Sequence, residues 1–121
     1  MTLGKEQLLG VKLKQESIPA PEFGTDATVI VQEPDAATAE RLSAADMPIG
    51  QDGHVGYNPI GRLSRWTIAC VVDEDGRKMF TDADAKQVEQ MPASLLKRIV
   101  NVAQRLAGNT TAALAEDVKN S

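Results

Sequence analysis

The chain has 121 residues and carries 13 basic against 17 acidic side chains, a formal net charge of −4. This length suits a single domain over residues 1–121, and the acidic balance argues against nucleic acid as a partner, since phosphate binding relies on clustered Lys and Arg. The single cysteine excludes an internal disulfide and fits a reducing cytoplasm. No apolar run has the length of a signal peptide core or a membrane span, so we expect a soluble protein without a membrane partner.

The N-terminal part of the sequence predicts a pair of antiparallel strands. Residues 9–16 alternate apolar side chains at Leu9, Val11 and Leu13 with Lys12 and Lys14, as a half-buried strand does. Residues 27–31 form a β-branched run that can return beside it after a turn.

A helix is predicted from about residue 35 to Met47. Asp35 is suited to cap its first turn, and the alanines that follow favour helix formation. Its apolar face is thin, because Leu42 is the only large aliphatic side chain before Met47. We therefore expect this helix to pack lightly or to wait for a partner, and Leu42 and Met47 are candidate protein-interaction residues.

The middle of the chain changes character twice. Residues 48–61 contain four glycines and two prolines and predict a long, flexible loop. Residues 65–72 resume a strand pattern through Trp66, Ile68 and Cys70, and with the acidic turn that follows they predict a hairpin near residues 65–80.

The C-terminal part predicts helices. One is expected over residues 82–90, with Thr81 as its cap, and it ends before Pro92. A second, over residues 94–107, carries a wide apolar stripe, and Gly108 stops it. A last short helix would carry Leu114 and Val118, two further candidate protein-interaction residues, with fraying from Lys119 onward. The predicted fold class is α+β: a small antiparallel sheet, made of the N-terminal strand pair and the hairpin, packed with C-terminal helices.

The sequence offers no catalytic, cofactor-binding or metal-binding constellation. Asp73, Asp75, Asp82 and Asp84 have carboxylates in close succession, but their spacing does not match an EF-hand loop. His54 is the only histidine, and a solvated loop position explains it better than a catalytic triad. An alternative remains open, in which a small enzyme or ligand-binding domain uses the loop at 48–61 as a lid.

Several motifs together resemble the tail assembly chaperones of long-tailed bacteriophages. From residue 66 to 109 these are a valine-ended strand, the turn Asp73-Glu74-Asp75-Gly76, the segment Phe80-Thr81-Asp82, a short helix and a longer helix. Earlier in the chain, Pro21-Glu22-Phe23-Gly24 precedes the β-branched run as it does in that family.

The resemblance implies a non-catalytic assembly factor without a cofactor. Members of the family associate with one another, coat the tape measure protein and leave as tail tube subunits polymerise. It therefore implies three partners, which are further copies of this chain, the tape measure protein and the tail tube protein. It also implies a location in the host cell cytoplasm and absence from the mature virion.

Overall fold

The computed structural model describes residues 1–108. Over this range a three-stranded antiparallel sheet with the strand order β1-β2-β3 packs against helices, which confirms the predicted α+β class. The elements in chain order are α1 (Lys5–Leu9), β1 (Gln15–Pro19), β2 (Thr28–Gln32), α2 (Ala36–Asp46), α3 (Arg62–Cys70), β3 (Val71–Val72), α4 (Ala85–Glu89) and α5 (Ala93–Leu106), with 3-10 turns at Pro21–Phe23 and Asp82–Asp84.

The N-terminal strand pair exists, but its first strand lies later in the chain than predicted. β1 and β2 pair in a register that sets Glu16 opposite Val31 and Ile18 opposite Val29. The prediction of a strand from residue 9 is wrong, because α1 covers residues up to Leu9 and β1 begins at Gln15. The alternating side chains at Leu9 and Val11 are 74% and 75% exposed, so no strand or helix of the described chain buries them.

The helix predicted from residue 35 is confirmed as α2. The Asp35 carboxylate accepts a hydrogen bond from the Thr38 amide at 2.8 Å, which satisfies one of the free donors of the first turn. The segment at 48–61 has no regular strands or helices, apart from an isolated bridge between Ile49 and Val55, and its flexibility stays a prediction.

The strand predicted over residues 65–72 is wrong for residues 65–70, which belong to α3. Only Val71 and Val72 pair with β2, and the hairpin is reduced to one further bridge between Val72 and Lys78. Trp66, Thr67 and Ile68 are all buried. A continuous buried run of this kind is also typical of a strand that is buried on both faces, which explains the wrong prediction.

The longest helix, α5, contributes one face to the hydrophobic core and confirms the helix predicted over residues 94–107. It packs against α3, β1 and β2. Leu95, Ile99 and Ala103 on its inner face are at most 1% exposed. Gly108 follows with φ 79°, a left-handed conformation that suits glycine at the end of a helix.

Candidate interaction surfaces

A buried carboxylate joins the end of α2 to the start of α3. Oδ2 of Asp46 accepts hydrogen bonds from Nε of Arg62 at 3.0 Å and from the indole Nε1 of Trp66 at 2.9 Å. Oδ1 of Asp46 accepts from Nη2 of Arg65 at 2.9 Å, and the Asp46 side chain is only 9% exposed. We call these four residues the Asp46 cluster. Two guanidinium groups and an indole N–H compensate the desolvation of one carboxylate.

The Asp46 cluster explains why this segment is a helix. Arg62, Arg65 and Trp66 stand at positions i, i+3 and i+4, which lie on one helical face. In a strand, side chains alternate, so Arg65 would point away from the other two and leave the carboxylate. The spacing of the two arginines is a sequence signal for a helix. The sequence does not show that their partner, and that of Trp66, is Asp46, which lies 16 to 20 residues earlier in the chain.

The same cluster holds the base of the loop at 48–61. The Asn58 amide donates to the Asp46 carbonyl at 2.7 Å, and Nη1 of Arg65 donates to the Ile60 carbonyl at 2.6 Å. Further along the loop, the Gly56 amide donates to the Pro48 carbonyl at 2.9 Å and closes a small turn. The C-terminal end of the loop is therefore tied by hydrogen bonds to the Asp46 backbone and to Arg65, and its N-terminal end lies two residues after Asp46 in the chain.

This anchored loop presents large apolar side chains to solvent. More than half of each of these side chains is exposed, and Ile60 reaches 82%. They are Met47, Ile49, Val55, Tyr57 and Ile60. Single exposed apolar residues are ordinary on proteins, but five within residues 47–60, which are the end of α2 and the loop that follows it, indicate a surface for binding another polypeptide.

The candidate interaction residues from the sequence have different positions. Met47 belongs to the exposed loop surface, whereas Leu42 is 6% exposed and packs into the core. Leu114 and Val118 lie outside the described residues. The role of all four in binding stays a prediction.

A second apolar surface lies where β2 extends beyond the short β3. It is a groove of about 380 Å³ between the sheet, the segment at residues 79–80 and the start of α5. Phe23 and Met79 on its rim are 67% and 53% exposed. We call it the Met79 groove, and its walls are formed by Phe23, Thr28, Val29, Ile30, Val71, Val72, Asp73, Glu74, Met79, Phe80, Met91, Leu95 and Ile99. The only charged side chains among them are acidic.

A third surface, between α2, α3 and the segment before α4, has a mixed character. This groove of about 650 Å³ is lined by three basic side chains, Arg41, Arg65 and Lys78, and by the acidic side chains of Asp82 and Glu89. The loop at 48–61 contributes only Gly61 to its wall. Residues 48–58 line neither this groove nor the Met79 groove, so the lid hypothesis gains no support from them.

The acidic residues that invited a calcium hypothesis serve the backbone. The Asp73 carboxylate accepts from the amides of Asp75 and Arg77 at 2.9 and 3.0 Å. The Asp84 carboxylate accepts from the Thr81 amide at 2.8 Å and caps the following turn. Within residues 1–108, no three His, Cys, Asp or Glu side chains come close enough together to hold a metal ion.

The histidine and the cysteine occupy opposite environments. His54 is exposed on the loop, where its backbone N–H and its ring lie against Asp52 and lower the pKa of that carboxyl. Cys70 is buried at the end of α3, and desolvation raises the pKa of its thiol from 9.0 to about 12. The thiol is thus protonated and shielded, which suits a packing role.

Over residues 1–108, no helix has the length and apolar character needed to cross a membrane.

Comparison with solved structures finds a similar fold in the structure described as that of the bacteriophage HK97 tail assembly chaperone. The TM-score is 0.61 and the identity 18%, and the match covers 84% of this chain and 95% of the HK97 chain. The chain thus has the fold of that protein over most of its length. No protein-family model matches the sequence, and no curated protein matches it either.

Proposed function

We propose that this protein is a tail assembly chaperone of a long-tailed bacteriophage. In this function it binds the tape measure protein non-catalytically, associates with further copies of itself and yields to tail tube protein as the tube polymerises. It acts in the cytoplasm of the host and is absent from the finished virion. The observation that carries the proposal is the shared fold with the HK97 tail assembly chaperone over 84% of the chain.

The surface chemistry supports a binding role. A protein that holds and later releases a helical client needs apolar area that the client can cover and leave again. The loop at 48–61 offers such area, with Ile49 at 73% and Ile60 at 82% exposure. Because hydrogen bonds from Asn58 to the Asp46 carbonyl and from Arg65 to the Ile60 carbonyl hold the C-terminal end of the loop, binding there costs less ordering entropy than it would on a free segment.

We assign the client contact to this loop. Each copy offers only a small apolar patch, so single contacts with the client are weak and readily exchanged. Several copies bound side by side along one extended client would add their contacts through avidity. This arrangement suits a chaperone that must be displaced by polymerising tube subunits.

The proposal is tested by producing the protein together with an affinity-tagged tape measure protein of the same phage. We expect several copies of the chaperone to purify with each tape measure chain. The double variant Ile49→Asp/Ile60→Asp should weaken this binding at least about tenfold, since each isoleucine loses its apolar contact.

The matched control is Ala37→Asp/Ala44→Asp, which adds the same charge to exposed positions of α2. We expect this control to bind as the unchanged protein does. Failure of the unchanged protein to bind the tape measure would overturn the proposed function. Equal weakening by both double variants would show that charge, and not the loop surface, governs binding.

A further inference from the structure

The N-terminal arm, residues 1–14, has exposed side chains that are not packed within its own molecule. Every residue of the arm is exposed, and α1 buries none of its side chains. A helix of five residues is too short to be stable in water by itself, so packing against another surface must supply its stability. The apolar side chains of the arm that lack cover are Met1, Leu3, Leu8, Leu9, Val11 and Leu13.

The arm also differs from the rest of the chain in charge. It contains three lysines and one glutamate, a net charge of +2, whereas the remaining residues carry 10 basic and 16 acidic side chains, a net charge of −6. Apart from the arm, therefore, each copy of this chain is a strongly acidic body. Opposite charges of this kind favour encounter between the arm of one copy and the body of another.

The Met79 groove has the properties that complement the arm. It is apolar along its floor, and its rim carries Asp73 and Glu74 without a basic side chain among its lining residues. β3 pairs with β2 only at Ile30 and Val31, so Thr28 and Val29 extend beyond it along the groove wall. Residues 11–14 follow α1 without helical structure and alternate Val11 and Leu13 with Lys12 and Lys14, a pattern that fits an apolar floor with an acidic rim.

The arm of the same chain begins at the end of β2 that lies opposite to the Met79 groove. The Lys14 amide donates to the Glu33 carboxylate at 2.9 Å, and the Lys14 carbonyl accepts from the Glu33 amide at 2.9 Å. Thr28 at the groove is five residues from Glu33, roughly 16 Å along an extended strand. In this structure the arm does not occupy its own groove, since none of residues 1–14 lines the groove and all of them are exposed, so the groove is open to the arm of another molecule.

We propose that the N-terminal arm of one copy docks into the Met79 groove of a second copy. This contact is head to tail, so every copy offers one arm and one groove, and repetition builds an open chain or a ring. The inference rests on the self-association included in the proposed function and names the surfaces that produce it. It separates self-association, at the arm and groove, from client binding, at the loop.

The test uses two variants that each remove one half of the contact. Leu9→Asp/Val11→Asp alters only exposed arm residues, and Phe23→Asp/Met79→Asp alters only exposed rim residues. Light scattering over a range of concentrations should show growing species for the unchanged protein. We expect self-association to weaken roughly 10- to 100-fold in either variant, as the loss of buried aliphatic side chains implies.

Mixing the two variants at equal concentration gives the decisive result. The arm variant keeps its groove and the groove variant keeps its arm, so the mixture should form one-to-one dimers and nothing larger. Exchanging the charges gives an independent test. Lys12→Glu and Glu74→Lys should each weaken self-association, and a mixture of the two variants should restore it. Ile49→Asp/Ile60→Asp is the matched control, since it makes the same chemical change on the loop and should leave self-association unchanged.

Several outcomes would overturn the inference. One is association of either variant as strong as that of the unchanged protein, as expected if the groove is covered by its own chain or binds only a client. Another is a mixture that stays monomeric, and a third is an unchanged protein that is monomeric at all concentrations. In each case binding of the tape measure protein, measured separately, decides whether the proposed function also fails.

Discussion

The Asp46 cluster pairs buried polar groups with one another, whereas the Met79 groove leaves apolar side chains exposed. In the Asp46 cluster, both carboxylate oxygens have donors and the side chain is 9% exposed, so this carboxylate is paired within one molecule, although Nε of Arg65 is buried without a hydrogen-bond partner among the described residues. The Met79 groove leaves Phe23 and Met79 more than half exposed beside a sheet edge that β3 does not cover. The difference shows that the buried polar interactions of this fold anchor a loop, whereas apolar area remains exposed and available for other polypeptides.

Among the substitutions of polar and exposed side chains, the largest expected effect comes from breaking the Asp46 cluster. Asp46→Ala leaves two guanidinium groups and an indole N–H without their acceptor, and should lower the free energy of unfolding by about 3 kcal/mol. Denaturant unfolding measures this directly. The control Asp52→Ala removes an exposed carboxylate and should leave stability nearly unchanged. Equal stability of the two variants would show that the cluster does not anchor the fold.

A smaller effect is expected when only one donor of the cluster is removed. Trp66→Phe keeps an aromatic ring in the core but deletes the indole N–H that Asp46 accepts. We expect a loss of about 2 kcal/mol, since hydrogen bonds to charged groups are worth more than neutral ones. In an Asp46→Ala background the same substitution should cost clearly less. Additive losses in this double-mutant cycle would deny the coupling.

The buried Cys70 thiol predicts how stability changes at alkaline pH. The pKa of Cys70 is raised from 9.0 to about 12, so above pH 9 the unfolded chain releases a proton that the folded chain retains. Stability therefore falls as pH rises from 9 toward 12, with a slope of about 1.4 kcal/mol per pH unit from this group. Cys70→Ala should remove this part of the slope in unfolding curves at pH 8 to 10. An identical pH dependence in both proteins would show that the thiol is not held in a closed core.

The smallest change in stability is expected in the groove. Met79→Ala shortens a side chain that is 53% exposed and should lower the free energy of unfolding by less than about 1 kcal/mol. Leu95, which also lines the groove, is fully buried, so Leu95→Ala should lower the free energy of unfolding by roughly 2–5 kcal/mol. Thermal unfolding of the two variants measures the contrast. A large loss from Met79→Ala would mean that the groove is part of the core and not a free surface.

The sequence predicted the parts of the fold whose signals are local. The apolar stripe of α5, the cap at Asp35 and the left-handed Gly108 each act within a few residues, and the structure has all three features. The β-branched run at 27–31 likewise identified β2 within one residue. Local signals of this kind are independent of the tertiary partner.

The sequence failed where a distant partner decides the local structure. Trp66, Ile68 and Cys70 favour a strand by propensity, but Asp46 requires a helix to gather its donors on one face. Leu9, Val11 and Leu13 alternate as a strand would, yet no neighbouring strand in the described chain accepts them. Of the candidate binding residues, Met47 lies on an exposed surface and Leu42 in the core, a distinction that composition alone does not make.

The most direct test of the central claim is the mass of the purified complex between this protein and the tape measure protein of the same phage. The claim is that apolar surface left open in the folded chain binds other polypeptides. It predicts several copies per tape measure chain, with fewer copies bound when Ile49 and Ile60 are replaced by aspartate. A protein that remains monomeric and binds no tape measure protein, while both isoleucines stay exposed, would contradict the claim.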